Sequence, residues 1–119
     1  MSDLWKLTAV EIADLVASKK VTATEVTQSA LGRLEAVNSR INAVVQHMPD
    51  EALATARQID EKIARNEPVG LMAGVPVTTK VNVDQSGFAT TNGLRLQENL
   101  IAEQDNPVVA NLKNADAVI

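Results

Sequence analysis

Gly-Val-Pro-Val-Thr-Thr-Lys-Val-Asn-Val-Asp, residues 74–84, is the segment with the clearest periodicity in this sequence of 119 residues. Its valines alternate with proline and polar side chains, and Thr79 alone breaks the pattern by falling on the valine side. A period of two is typical of a β-strand with one buried face and one polar face. We therefore predict a strand over residues 75–84. Its polar face would carry the side chains of Thr78, Lys80, Asn82 and Asp84.

Three helices are predicted upstream of this strand. Capping boxes at residues 8–11 and 22–25 mark the first two helix starts, because each Thr-x-x-Glu pair can satisfy backbone N–H groups at a helix N-terminus. The first helix is expected over about residues 9–18, and the third begins at Pro49. The second helix, expected to end near residues 38–39, shows an apolar face at helical spacing. That face consists of Val26, Ala30, Leu34, Val37 and Ile41.

Weaker signals complete an α/β assignment. Residues 43–45 form a short apolar run that could be a strand, and a helix is predicted after Pro107. Residues 117–119 have the composition of a buried parallel strand at its start, so a truncated domain is expected. The predicted fold is N-terminal helices followed by the first strands of a mixed sheet. Its parts are a helical region at 1–70, a strand-and-turn segment at 71–104, and a helix with the start of a strand at 105–119.

Composition excludes several classes of function. The net charge of -4 argues against nucleic-acid binding, which needs a basic face. The sequence has no cysteine and one histidine, His47, so neither a thiolate nor a multi-histidine metal site is expected. No apolar run reaches membrane-spanning length, and residues 1–5 lack the features of a signal peptide. A cytoplasmic protein without nucleic-acid or membrane partners is therefore predicted.

Lys80 is the main candidate for chemistry. On a strand whose opposite face is buried it would lose part of its hydration, and desolvation favours the neutral amine that can act as a general base. A second interpretation stays open, because a lysine on a half-exposed strand is commonly a solubilising residue or guards a sheet edge. Asp84 and Asp105 lack the spacing of a metal-binding loop. His47 is interpreted as a loop or helix-edge residue.

The segment that leads to Lys80 resembles the Gly-Val-Pro-containing sequence before the catalytic lysine of amidase-signature enzymes. Other segments resemble that family in the same order and at similar spacing. They are residues 7–12, 42–45, 52–57 with Asp60, 90–93 and 105–119. The resemblance covers nearly the whole chain, and the ordered series is more specific than any single motif. It implies the N-terminal portion of an amidase-like hydrolase.

The family resemblance also implies a mechanism. Its members are α/β enzymes that hydrolyse carboxamide C–N bonds with a serine–cis-serine–lysine triad, and Lys80 would be the base of that triad. An oxyanion hole of backbone amides would stabilise the tetrahedral intermediate. Neither a metal nor an organic cofactor is implied. A family turn that could line the substrate site corresponds to Thr90, Thr91, Asn92 and Gly93.

Two features depart from the family pattern. Val81 stands where family members usually carry an aspartate directly after the lysine. The Gly-Ser-rich signature that supplies both serines would lie beyond Ile119, so this chain alone is expected to be inactive, whereas an intact relative would hydrolyse a small-molecule amide. None of the serines present lies in a Gly-Ser-Ser-Gly setting. They are Ser2, Ser18, Ser29, Ser39 and Ser86.

Two other interpretations stay open. A subunit of an amidotransferase would carry the same signature. A non-catalytic helical interaction module would instead bind a partner through its apolar helix faces and residues 117–119. A truncated domain should expose apolar surface, and we expect that surface to bind the remainder of an amidase chain or to cause self-association.

Overall fold

The computed structural model describes residues 3–119, in which the regular elements are helices. A 3-10 turn over Leu4–Lys6 precedes the first α-helix, and another spans Arg95–Gln97. The four α-helices are α1 at Ala9–Ala17, α2 at Ala23–Ile41, α3 at Pro49–Ala64 and α4 at Pro107–Asn114. All four α-helices that the sequence predicts are therefore present.

Both predicted capping boxes are formed. The hydroxyl of Thr8 accepts a hydrogen bond from the N–H of Glu11 at 3.3 Å, and the Glu11 carboxylate accepts one from the N–H of Thr8 at 2.8 Å. Thr22 and Glu25 repeat the arrangement at the start of α2. The backbone hydrogen bond from each threonine holds the pKa of its glutamate below the ordinary value. Local side-chain chemistry thus fixes where α1 and α2 begin.

The core lies where α1, α2 and α3 meet the segment around Val75. The predicted apolar face of α2 is buried only near its start, since Val26 is inaccessible to solvent while Ile41 is 62% exposed. The far end of that face, at Ile41, is therefore open to solvent, whereas Leu34 and Val37 are half-buried. The buried cluster contains Leu4, Ile12, Val16, Val21, Ala23, Val26, Ala52, Ala56, Ile59, Ala73, Val75 and Val118.

The strand predicted over residues 75–84 is not formed, and within residues 3–119 the expected mixed sheet is reduced to two isolated bridges. Pro76 bridges in parallel to Val118, and a separate antiparallel bridge joins residues 89 and 101. Two physical reasons limit the first pairing. Pro76 has no N–H to donate, and the segment beside it offers only residues 117–119 as a partner.

Residues 43–45 do not form a strand either. The Asn38 side chain accepts hydrogen bonds from the N–H groups of Ala43 and Val44, and its amide donates to the Val44 carbonyl at 2.8 Å. These are the backbone groups that a strand would need, and a local side chain occupies them. Helix α2 also runs past the predicted end near Asn38, and stops where Asn42 adopts a left-handed conformation with φ of 50°.

Close backbone packing fixes residues 70–74, the segment that leads to Lys80. Residues 70–74 run along the end of α4, where the N–H of Gly74 donates to the Asp116 carbonyl at 3.0 Å. The N–H of Gly70 donates to the Asp116 carboxylate at 2.7 Å. A Cβ at Gly70 would collide with the carbonyl group of Ala115, so only glycine permits this approach.

Candidate active site

Lys80 follows a segment that is anchored in the core at its start. Val118 donates to the Val75 carbonyl at 2.9 Å and accepts from the N–H of Val77 at 2.7 Å. The segment then leaves the core, and Lys80 is exposed. Its ammonium has no hydrogen-bond or ion-pair partner within residues 3–119. The partial burial expected for Lys80 is therefore wrong for the described part of the chain, because the predicted strand that would have placed it in a sheet is absent.

The chain turns immediately after Lys80. The N–H of Val83 donates to the Lys80 carbonyl at 3.0 Å, which closes a tight turn. The carbonyl of Val81 accepts a hydrogen bond from the N–H of Asn92 at 3.3 Å. Two segments that the sequence marks separately, Lys80 and residues 90–93, are thus neighbours in the structure.

Residues 91–94 form the turn that the sequence predicts. Asn92 and Gly93 both have positive φ, of 51° and 76°, and the N–H of Leu94 donates to the Thr91 carbonyl at 2.8 Å. Positive φ at both central positions is the pattern of a type I′ turn, and the Asn-Gly pair is well suited to it. The predicted turn is therefore confirmed.

Backbone donors in this turn are already engaged. The N–H of Thr90 donates to the Leu100 carbonyl, that of Asn92 to the Val81 carbonyl, and that of Gly93 to the Thr91 hydroxyl. The Asn92 side chain donates to Gln97 at 2.8 Å. A substrate contact by these residues stays a prediction, and these three amides serve the turn itself.

Asp84 and Thr90 form a contact that sequence reasoning missed. The Thr90 hydroxyl donates to Oδ1 of Asp84 at 2.5 Å, and Thr90 is only 6% exposed. The carbonyl of Asp84 accepts from the N–H of Asn106, the N-cap of α4, at 2.9 Å. No spacing rule links a carboxylate to a hydroxyl six residues later across an irregular loop, so the sequence offered no signal for this pair.

Asp105 is engaged in a second internal network. It accepts hydrogen bonds from Nζ of Lys113 at 2.7 Å and from the N–H of Ser86 at 2.8 Å. The Lys113 ammonium and then the Ser86 N–H hold the pKa of Asp105 below its ordinary value. Within residues 3–119 there is no group of three or more His, Cys, Asp or Glu side chains that could hold a metal ion.

A groove of about 680 Å³ lies beside Lys80. Aliphatic side chains of α2 and of residues 43–45 line one part of it, and residues 75–81 line another. His47 belongs to the lining and is exposed, as expected for a loop residue. Among the described residues no serine lines the groove, and Ser2 lies outside them. Residues 3–119 therefore place a lysine at an apolar groove without a serine nucleophile there.

The fold and site define a class of protein: a helical scaffold that presents a lysine at an apolar groove, with an Asn-Gly turn hydrogen-bonded to the residue after that lysine. The sequence model of the Amidase family matches residues 25–119. This chain belongs to the Amidase family.

Individual relatives agree with this assignment. The chain is 40% identical over 116 residues to the indoleacetamide hydrolase of Bradyrhizobium diazoefficiens, covering 98% of this chain and 22% of the relative. It is 44% identical over 119 residues to a glutamyl-tRNA(Gln) amidotransferase subunit of Streptomyces coelicolor, covering 100% of this chain and 24% of the relative. It thus spans about a quarter of the length of the curated relatives that it matches.

The structural match supports the same family. The fold resembles that of a bacterial aryl acylamidase of the amidase signature family with a TM-score of 0.89 and 30% identity. The match covers 94% of this chain and 24% of the acylamidase. None of the helices within residues 3–119 combines the length and the apolar character required to cross a membrane.

Proposed function

We propose that this chain supplies the general base, Lys80, to an amidase that hydrolyses carboxamide C–N bonds through an acyl-serine intermediate. The position of Lys80 carries the proposal. In this member of the Amidase family, Lys80 lines an apolar groove, and Val81, the residue after it, is hydrogen-bonded to the turn at residues 90–93. Both serines of the triad would come from polypeptide other than the described residues.

In this mechanism the neutral amine of Lys80 takes the proton of a bridging serine, and that serine takes the proton of the nucleophilic serine as its oxygen attacks the carboxamide carbon. The tetrahedral intermediate expels the amine, which receives the proton, and water then releases the acid from the acyl-serine. The remaining part of the domain must exclude water from the exposed Lys80, because desolvation favours the neutral amine that the mechanism needs.

The substrate class is proposed to be a carboxamide with an apolar acyl group. The valines that flank Lys80 in the groove lining, Val77 and Val81, support this choice. The name of one relative, an indoleacetamide hydrolase, agrees with this choice. The cytoplasmic location predicted from the sequence stays a proposal, which fractionation of the source cells would test.

A second candidate function is that of an amidotransferase component. The 44% identity to the Streptomyces coelicolor amidotransferase protein, over the full length of this chain, favours it. In that role the amide nitrogen would pass to an acceptor instead of being released, and the chain would work inside a complex.

Two chimeras test these candidates. Residues 1–119 replace the aligned segment either in the Bradyrhizobium indoleacetamide hydrolase or in the Streptomyces amidotransferase protein, and hydrolysis of indoleacetamide or tRNA-dependent amide transfer is measured. Activity restored only in the hydrolase host supports the amidase, and activity only in the amidotransferase host supports the second candidate. A folded hydrolase chimera that is inactive would contradict the first proposal.

The role of Lys80 is tested in the same hydrolase chimera. Lys80→Met should lower kcat by about a thousandfold or more, because the nucleophile loses its base. Lys20→Met is the matched control, since Lys20 is also exposed and does not line the groove. Full activity of the Lys80→Met chimera would rule out the assigned role.

A further inference from the structure

We propose that Asp84 and Thr90 are positioning residues, whose hydrogen bond holds the turn at residues 90–93 against the peptide that follows Lys80. This inference rests on the proposed function of Lys80. The pair does not contact the substrate. Its proposed role is to fix the position of the backbone that carries the Lys80 side chain.

Two hydrogen bonds join the segment after Lys80, residues 81–84, to the segment that begins the Asn-Gly turn, residues 90–92. One is the hydrogen bond from the N–H of Asn92 to the Val81 carbonyl at 3.3 Å, and the other is that from the Thr90 hydroxyl to Asp84 at 2.5 Å. The backbone connection is long, whereas the side-chain connection is short and has a carboxylate acceptor. Hydrogen bonds to ionised acceptors are the stronger kind, so the Asp84–Thr90 pair is the firmer of the two connections.

The burial of Thr90 explains why the pair stays closed. The residue is 6% exposed, so its hydroxyl would lose most of its access to water if it released Asp84. A buried hydroxyl without a partner is unfavourable, and this penalty keeps the donor on the carboxylate. The N–H of Thr90 is held at the same time by the Leu100 carbonyl at 2.9 Å, which fixes the start of the turn.

Asp84 is itself fixed to the helical frame. Its carbonyl accepts from the N–H of Asn106, whose side chain caps α4 by accepting from the N–H of Val108 at 2.9 Å. A displacement of α4 would therefore displace Asp84 through the Asn106 hydrogen bond, and Thr90 through its hydrogen bond to Asp84. Since the turn that begins at Lys80 ends one residue before Asp84, the carboxylate is close enough in sequence to fix the direction of that turn.

Val81 contributes no side-chain hydrogen bond here, because a valine side chain can neither donate nor accept one. Among residues 3–119 its hydrogen bond to the turn is the one that its backbone carbonyl accepts from Asn92. Of residues 81–84, Asp84 is the one whose side chain is hydrogen-bonded to Thr90, directly before the Asn-Gly turn, in the part of the chain that the structure describes. The structure thus places the positioning carboxylate four residues after the lysine.

Amide hydrogen exchange of this chain, followed by NMR, tests the connection directly. Thr90→Val should speed exchange of the Asn92 amide by about tenfold or more relative to amides of α1, because the turn loses its firmer connection. Thr90→Ser keeps the hydroxyl and should restore slow exchange. Thr27→Val is the matched control, since Thr27 is another buried threonine whose hydroxyl has no partner among the described residues.

Kinetics of the hydrolase chimera test the consequence for catalysis. Thr90→Val and Asp84→Ala should each lower kcat by about ten- to a hundredfold while KM stays within about twofold, since small displacements of a catalytic group have effects of this size. Asp84→Asn keeps an acceptor oxygen, and Thr90→Ser keeps the donor, so both should recover most of the rate.

The outcomes separate this inference from the proposed function. Unchanged exchange of Asn92 in Thr90→Val would overturn the inference, and so would faster exchange with an unchanged kcat. Equal losses of kcat in Thr90→Val and Thr90→Ser would overturn it as well, because the hydroxyl would not be the cause. A hydrolase chimera that carries residues 1–119 without substitution and is inactive would count against the proposed function. In that case the exchange rate of the Asn92 amide in this chain would still decide whether Asp84 and Thr90 hold the turn.

Discussion

The carboxylate of Asp60 on α3 accepts a 2.6 Å hydrogen bond from the backbone N–H of Ala23, the first residue of α2. The same carboxylate accepts from the N–H of Thr24 at 3.1 Å and from its hydroxyl at 2.6 Å. A negative group at the N-terminus of a helix accepts hydrogen bonds from unpaired N–H groups and interacts favourably with the positive end of the helix dipole. Asp60 thus caps α2 from a neighbouring helix.

Removal of this cap should destabilise the chain. Asp60→Ala should lower the free energy of unfolding by about 1–2 kcal/mol, because the first N–H groups of α2 lose a half-buried acceptor. Asp60→Asn should have a smaller effect, as one oxygen remains. Glu61→Ala is the control and should change stability by less than about 0.5 kcal/mol, since Glu61 is exposed. Urea unfolding followed by circular dichroism measures all three, and an Asp60→Ala variant as stable as the control would contradict the prediction.

Two buried threonines should respond oppositely to the same substitution. Thr27 is 2% exposed and its hydroxyl has no partner within residues 3–119, so Thr27→Val should raise the free energy of unfolding by about 1 kcal/mol. Thr90→Val should lower it by a similar amount, because the hydroxyl donates to Asp84. The comparison uses one urea series on this chain. Changes of the same sign would show that the hydroxyl contacts do not control the outcome.

The two capping boxes predict a loss of stability in acid. The pKa values of Glu11 and Glu25 are lowered from 4.5, chiefly by the N–H groups of Thr8 and Thr22. A lowered folded pKa means that the stabilisation is complete above the unfolded value and disappears as the pH falls through the folded value. Thermal melting below the ordinary pKa should therefore show a falling midpoint. A variant with both Glu11→Gln and Glu25→Gln should have a flatter dependence on pH there, and an unchanged profile would argue against this origin.

Asp105 should titrate abnormally because of Lys113. NMR of the side-chain carboxyl carbon is expected to give a pKa for Asp105 below its ordinary value of 3.8. The hydrogen bond from Lys113 is the main cause of this lowering. Lys113→Met should raise that pKa toward the ordinary value, although the hydrogen bond from Ser86 continues to lower it in part. Lys20→Met serves as the control and should leave it unchanged. A pKa that does not move in Lys113→Met would show that the ion pair is not formed in solution.

Exposed apolar side chains predict self-association of the chain on its own. The apolar face of α2 ends at Ile41, which is 62% exposed, and Val45 four residues later is 68% exposed. Apolar surface left in water favours association. Light scattering after size-exclusion chromatography should therefore give a mass above 12.7 kDa that rises with concentration. A double substitution, Ile41→Asp with Val45→Asp, should shift the chain toward the monomer. A monomeric native chain at all concentrations would contradict the prediction.

The helices could be predicted from the sequence because their signals are local. The Thr-x-x-Glu pairs at residues 8–11 and 22–25 and the proline at the start of α3 each act within one turn of helix. The Asn-Gly turn at 92–93 is equally local, since positive φ at both positions depends on these two residues. The strand pattern makes Lys80 a candidate and the family resemblance gives it a role, and the structure places it at the groove as an exposed side chain.

The tertiary structure alone decided which segments meet. Valine alternation over 75–84 indicates that a strand is favourable. A strand forms only when a neighbouring strand hydrogen-bonds to its N–H and C=O groups. Within the described chain, residues 117–119 are the segment that pairs in this way. The contacts between Asp60 and α2, and between Asp84 and Thr90, have the same character. Each joins groups that no local sequence rule pairs. The sequence thus determined the helices and the Asn-Gly turn, and packing decided which strands could form and which side chains meet.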